Sequence, residues 1–376
     1  MPFEKHLPPS LLSDFASQDE VFRRGFAMLQ QAVAGRAFPC TSLAVTHRGK
    51  LVGLKAFGQF TFDADAPPAH PDTIFDLASL TKVMATTSMA VLLYERGLLD
   101  IEMPVVGIVP EFAHDDSGAS DLRRGEVTLR MLLAHSSGLP AHLKLYERAR
   151  TREEVTRLAA MTSLTNDPGR HVEYSDVGFI VLGEALMRLA DERLDAFSQR
   201  EVFGPLGLAH TGFNPLVEQR ALIPPTLNGH GFRPRVIQGE VNDDNAAVMG
   251  GVAAHAGLFA PAEDLARFAQ AILDGGAPVF RRESLAFFTQ RELSPAETTR
   301  TLGWDTPSQS SLAGKHFSPG SFGHLGFTGT SLWIDPERQI SITLLTNRTW
   351  PDGKNVGIRQ VRPEFHDAIM ESLIYL

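Results

Sequence analysis

Cysteine is nearly absent: Cys40 is the single one in 376 residues. An intrachain disulfide is impossible, and a paired-cysteine zinc or redox site is excluded. So low a count fits a reducing compartment. Long apolar runs are missing too. The longest, near Val83–Leu93 and Phe179–Leu189, are broken by polar residues and too short to span a bilayer. Met1–His6 is followed by Asp14, Gln18, Asp19 and Glu20, with no apolar core of a secretory signal between them. The expected location is cytoplasmic, without a membrane partner. Positive charge is in deficit, with 35 Lys+Arg against 44 Asp+Glu and a net charge of −9. Such a chain is a poor ligand for a phosphate backbone, so no nucleic-acid partner is expected. G-x-S-x-G, H-E-x-x-H, Walker A and G-x-G-x-x-G are all missing, and each absence removes a reaction class. No repeat or low-complexity tract occurs. With 43% hydrophobic and 21% charged residues the chain is globular, and its length suggests two domains.

Apolar spacing through Phe15, Phe22, Phe26, Leu29 and Val33 predicts a helix over Leu12–Val33. Residues 42–60 read as two strands around Arg48-Gly49-Lys50, and 330–345 as two more around Asp335-Pro336-Glu337-Arg338. A final amphipathic helix is expected over Pro363–Leu373. The middle is helical: Ser79–Arg96, Leu129–His135, Arg152–Met161, Asp176–Ala190 and Ala262–Leu273. Gly97 is placed to end the first of these and Pro261 to open the last. Ala113–Arg124 is polar and reads as an exposed loop. The expected fold is α/β of the α+β type. Residues 1–82 and 206–376 would form an α/β domain on an antiparallel sheet, and 83–205 an inserted helical domain.

Three segments carry candidate chemistry. Ser79-Leu80-Thr81-Lys82 is the only S-x-x-K among 23 serines and 7 lysines. Chance supplies about 0.4 such matches, so context must decide. It opens an apolar helix, where a serine hydroxyl meets unpaired N–H groups and a lysine at i+3 shares its face. The plain alternative is a capping serine beside a solvent-seeking lysine. Tyr174-Ser175-Asp176 stands at a loop–helix junction, where a phenol can exchange a proton with a neighbouring site. The plain alternative makes Asp176 a helix cap. Gly323-His324-Leu325-Gly326-Phe327-Thr328-Gly329 precedes a strand, and its glycines permit close backbone approach. The plain alternative is a bulge. Asp243, Asp244 and His255 could ligate a metal, but loop capping explains them more simply.

Together and in this order, the three segments resemble the serine β-lactamase and penicillin-binding protein superfamily. The closer likeness is to the branch of class C β-lactamases, D-alanyl-D-alanine carboxypeptidases and family VIII carboxylesterases. Leu132–Pro140, Gly97–Phe112 and Met249–Phe259 resemble further segments of that branch. The resemblance implies that Ser79 is acylated, that Lys82 stays charged beside it, and that Tyr174 is general base and then acid. It implies an oxyanion hole from the backbone N–H groups of Ser79 and Phe327. Asp176, His324, Leu325 and Gly326 fall at supporting, substrate-facing positions. No cofactor or metal is implied.

Departures from that pattern bear on substrate. Asp176 stands where class C enzymes carry an asparagine amide, and a carboxylate can only accept hydrogen bonds. It is suited instead to pairing with Lys82. His324 and Leu325 replace a lysine and a threonine that would hold a substrate carboxylate. The expected activity is therefore carboxylesterase action on small acyl esters, with at most weak β-lactam hydrolysis. A β-lactamase or a D-alanyl-D-alanine carboxypeptidase or D-amino peptidase acting on amides is the alternative. A non-catalytic penicillin-binding scaffold is a third reading.

Overall fold

The computed structural model describes residues 11–374 except 116, 117, 119, 120, 230 and 297. Strand pairing brings the two ends of the chain together. Cys40–His47 and Lys50–Gly58 form the first hairpin, turning at Arg48 and Gly49, both with positive φ. Ser331–Asp335 and Ile340–Thr346 form the second. Cys40–His47 then pairs antiparallel with Ile340–Thr346, from Ile340↔His47 to Thr346↔Thr41. Phe322–Leu325 closes one edge, antiparallel to Ser331–Asp335. Leu12–Ser13 closes the other, parallel to Lys50–Gly58. The fold is the mixed α/β type expected.

Both sheet faces are covered. On one, helices Arg23–Ala34 and Ile358–Ile374 set Phe26, Leu29, Phe365 and Ile369 against Trp333 and Ile342. Burying each such side chain is worth roughly 1.5–3 kcal/mol. On the other, Leu80, Met84, Leu265 and Phe268 join Ala44 and Leu345. The same cluster continues into the middle of the chain through Leu92, Leu133, Phe179 and Leu182. No helix among the described residues is long and apolar enough to cross a membrane.

Three segments depart from expectation. Leu12 and Ser13 do not open a helix. Their backbone extends the sheet, Asp14 N–H bonds the Leu51 carbonyl at 2.9 Å, and helix begins only at Gln18. The final helix starts at Ile358, five residues before Pro363, which forfeits one early hydrogen bond there. Within 113–124, residues 116, 117, 119 and 120 lie outside those described, and Arg124 is buried rather than exposed. Its guanidinium donates to the carbonyls of Phe112, Ala160 and Thr162 and stacks over the Phe112 ring.

Candidate active site

The backbone makes a sharp turn at Ser79. Strand Phe75–Asp76 leads into a short 3₁₀ turn, Ala78–Leu80, in which Ala78 has φ +47°. A non-glycine residue in that region stores strain and persists only when its surroundings enforce it. Here Asp76 enforces it. Its buried carboxylate accepts from Ala78 N–H at 2.8 Å and Asn242 N–H at 2.6 Å. Burial raises the Asp76 pKa to about 6, against those two hydrogen bonds. Lys82 then opens a π-helical segment, Lys82–Thr87, before regular helix resumes at Ser88. Such segments concentrate at functional sites.

Lys82 is completely buried, and all three of its donor protons are used. They go to Ser79 Oγ at 3.1 Å, Asp176 Oδ1 at 2.7 Å and the His255 carbonyl at 3.0 Å. Burial alone would lower the lysine's proton affinity. The carboxylate of Asp176, with Tyr174, more than offsets this and holds the ammonium charged. Asp176 is held ionised in turn. Burial pushes its carboxyl upward, but Lys82 and His142 pull it well below the usual range. Asp176 is free for this because Ser175 caps the helix: its hydroxyl accepts from Gly178 N–H at 2.8 Å and donates to the Pro140 carbonyl at 2.7 Å.

Tyr174 lies beside them. Its ring is 4.9 Å from Lys82 Nζ and packs against the imidazoles of His135 and His324. His135 anchors the loop, accepting Ser175 N–H on Nδ1 at 3.0 Å. The Tyr174 hydroxyl is buried near Lys82 and Ser79, with no partner in full hydrogen-bond geometry among the described residues. Burial raises its proton affinity, and the pull of Lys82 in the other direction does not overcome that. At neutral pH the resting site thus holds a neutral phenol. We therefore expect ester turnover to keep rising with pH up to the ordinary phenol value near 10. The Tyr174→Phe enzyme should lose that limb. A plateau near neutral pH in kcat/KM would remove Tyr174 as the titrating base.

The opposite wall is the edge strand and the turn after it. A Cβ on Gly326 would lie 2.5 Å from the Leu77 carbonyl oxygen, so only glycine lets the chain pass this close. Thr328 and Thr330 fasten the turn, donating to the Asp76 and Leu77 carbonyls at 2.8 and 2.9 Å. Phe327 is thereby set across the cavity from Ser79. His324 is 3% exposed, and its Nδ1 lies 2.8 Å from the Leu325 carbonyl. A carbonyl only accepts, so Nδ1 carries the proton and Nε2 presents a lone pair, buried and unpartnered. Burial, with Lys82 and Arg300, lowers its pKa to about 3. His324 is thus an acceptor at neutral pH and no substitute for a lysine.

Ser79, Tyr174, Asp176, His324, Leu325, Gly326 and Phe327 all border one cavity of about 810 Å³, with Lys82 behind its wall. Sequence reasoning missed a neighbour there, Arg300. Its guanidinium sits 5.3 Å over the Tyr174 ring, is held by Asp305 only at 3.5 Å, and leaves Nε unpartnered. Its position, 24 residues before His324 in a segment without periodicity, gave no signal. The acidic loop takes the plain reading. Asp243 caps helix Asp244–Val248 and bonds His255 Nε2 at 2.8 Å, while Asp244 pairs with Arg233 at 2.6 Å. His142, Asp176 and Asp243 offer ligand atoms within 4.8 Å of one another. Lys82, His255 and the Ala246 N–H already bond the two carboxylates.

A serine hydroxyl bonded to a buried lysine, with a phenol alongside and a glycine-edged strand beside the same cavity, is an arrangement suited to serine acyl transfer on a mixed α/β fold. The chain belongs to the beta-lactamase family, whose model matches residues 26–362. It is therefore a serine hydrolase of that family. It is 32% identical over 348 residues to a Salmonella agona protein provisionally named a D-alanyl-D-alanine carboxypeptidase, covering 83% of this chain and 79% of that one. It is 32% identical over 362 residues to an N-acetylmuramyl-L-alanine amidase of Bacillus subtilis, covering 85% and 79%. Among solved structures it resembles EstCE1, a hydrolase with promiscuous acyltransferase activity, with TM-score 0.75, 22% identity and coverage of 94% and 100%. The octameric penicillin-binding protein homologue of Pyrococcus abyssi follows the same fold, with TM-score 0.70, 20% identity and coverage of 94% and 77%.

Proposed function

We propose that this chain hydrolyses small carboxylic esters through an acyl-enzyme on Ser79, with at most weak action on β-lactams. The observation that carries the reading is the contact chain Ser79–Lys82–Asp176 beside an unpartnered phenol at an open cavity. Tyr174 and Asp176 come from the 83–205 segment, which we read as the helical wall of the cleft, and His324 to Phe327 from the sheet wall. In the first half-reaction the phenolate form of Tyr174, the minor form at neutral pH, takes the Ser79 proton, Oγ bonds the substrate carbonyl carbon, and the leaving oxygen departs with that proton from Tyr174. The Ser79 and Phe327 N–H groups stabilise the oxyanion. In the second, the Tyr174 phenolate takes a proton from water, the water oxygen attacks the acyl carbon, the acyl C–Oγ bond breaks, and Tyr174 returns the proton to Ser79 Oγ. Lys82 remains charged throughout. Intact-protein mass spectrometry after exposure to short-chain esters tests this. A transient acyl mass on the peptide containing Ser79 is expected, and labelling confined to other residues would overturn the assignment.

A second reading is favoured by one residue. Arg300 puts a fixed cation into the cavity where His324 cannot, which suits a peptide ending in a free carboxylate. The carboxypeptidase-named relative is consistent with it. On a peptide ending in D-alanyl-D-alanine, Arg300→Gln should raise KM about tenfold with little change in kcat. Failure of the unaltered enzyme to cleave that peptide would dismiss this reading and leave the ester one intact.

A further inference from the structure

The charges around the cavity do not balance. Its carboxylates Asp176, Asp243, Asp244 and Asp305 are all engaged, by Lys82, His255, Arg233 and Arg300 respectively. At the end beyond Phe327, three arginines border the same space: Arg348, Arg359 and Arg362. Arg348 bonds only carbonyls, those of Phe327 at 2.7 Å, Asn355 at 2.9 Å and Gly353 at 3.1 Å. Arg362 is 3% exposed and reaches only the Thr330 carbonyl, at 3.2 Å; its Nε is buried without a partner. Among the described residues neither has a carboxylate beside it. Burial and then Arg348 lower the Arg362 pKa to about 9, and burial and then Arg359 lower that of Arg348, so the three charges repel one another. A buried guanidinium left in this condition is costly unless something anionic completes it.

The backbone adds to the same field. The Ile358–Ile374 helix begins here, and Val356 and Ile358 border the cavity. The N–H groups of Arg359, Gln360 and Val361 already bond the Val356 and Gly357 carbonyls, so what the helix adds on the arginines' side of the cleft is its positive dipole end. Planar guanidinium forks favour carboxylate and phosphate oxygens. The crowding of three such groups favours the higher charge.

We propose that Arg348, Arg359 and Arg362, with the first turn of the Ile358–Ile374 helix, form a subsite for a doubly charged oxyanion of the phosphate type. Through the Arg348–Phe327 bond the subsite adjoins the proposed oxyanion hole. That the anion belongs to the substrate rests on the reading of Ser79 as nucleophile; binding of the anion itself does not.

The test uses the full chain in two arms. In the first, Ser79→Ala protein is titrated with inorganic phosphate at constant ionic strength and followed calorimetrically. Saturable binding is expected, weakened about tenfold by adding Arg359→Gln and also weakened by adding Arg348→Lys. No saturable binding, or equal affinity in all three proteins, would overturn the subsite. Because this arm needs no turnover, it stands even if Ser79 proves not to be the nucleophile. In the second arm, the unaltered enzyme is offered the p-nitrophenyl esters of 4-phosphonobutyrate and of pentanoate. A kcat/KM preference for the phosphonate ester that shrinks in Arg359→Gln places the anion on the substrate. Phosphate binding without that preference assigns the subsite to a free anion.

Discussion

Replacing Ser79 by alanine is expected to lower p-nitrophenyl butyrate turnover on the order of 10⁴-fold or more. The loss is this large because the hydroxyl is the proposed nucleophile, bonded to Lys82 and bordering the same cavity as Tyr174, and the members of such a site act as a unit. The fold should be unaffected. Ser79 is only partly buried, and in its absence Lys82 keeps Asp176 and the His255 carbonyl as acceptors. Residual rate above that of water would come from the N–H groups of residue 79 and Phe327, which the substitution leaves in place. The melting temperature should therefore stay near that of the unaltered protein while the acyl mass disappears. Turnover within a few-fold of the unaltered enzyme, in a protein that melts normally, would mean that another nucleophile does the chemistry.

Much of the frame was legible because it rests on local rules. The two hairpins announced themselves by apolar runs around Arg48-Gly49 and Asp335-Pro336, and the pairing of both chain ends followed. What sequence did not reveal depends on contacts distant along the chain. Leu12 sits in a helical pattern, yet a free sheet edge beside Lys50 captures its backbone. Arg124 reads as solvent-facing, yet three carbonyls from two other segments converge on it. Ser175 and Asp176 could each have capped their helix. The Pro140 carbonyl decides for Ser175 by giving its hydroxyl a second bond, and that leaves Asp176 for Lys82. Ser79, Lys82, Tyr174 and His324 are legible as candidates because they stand in short motifs. Arg300 and the Asp76 carboxylate are not, because Arg300 meets Tyr174 from a segment with no local signature and Asp76 acts from a buried turn by bonding Ala78 and the distant Asn242. The proton affinity of Tyr174 is not legible in the sequence for a related reason. Lys82 is a neighbour that sequence can suggest, whereas the extent of burial, which prevails, is known only once the walls are assembled.

The Lys82–Asp176 pair carries the second large effect. Asp176→Ala should destabilise the protein by about 3–5 kcal/mol, because it strands a fully buried ammonium. Asp176→Asn should lose less, since an amide oxygen can still accept from Nζ. The pH dependence identifies the cause. In the unaltered protein Asp176 is held below its ordinary value of 3.8 and Lys82 above its ordinary value of 10.5. The carboxylate's contribution is complete above 3.8 and is lost as pH falls through the lower folded value. The lysine's is complete below 10.5 and is lost as pH rises through the higher one. The pair's contribution is thus flat between about 4 and 10. Without the carboxylate, burial dominates and the folded Lys82 pKa drops below the unfolded one. The unfolded chain then binds more protons, so Asp176→Ala should gain stability as pH rises from neutral toward 10, while the unaltered protein does not. Urea unfolding at several pH values measures both slopes. Parallel slopes would mean that Lys82 is not charged in the folded site, and the proposal that it remains charged beside Ser79 would go with it.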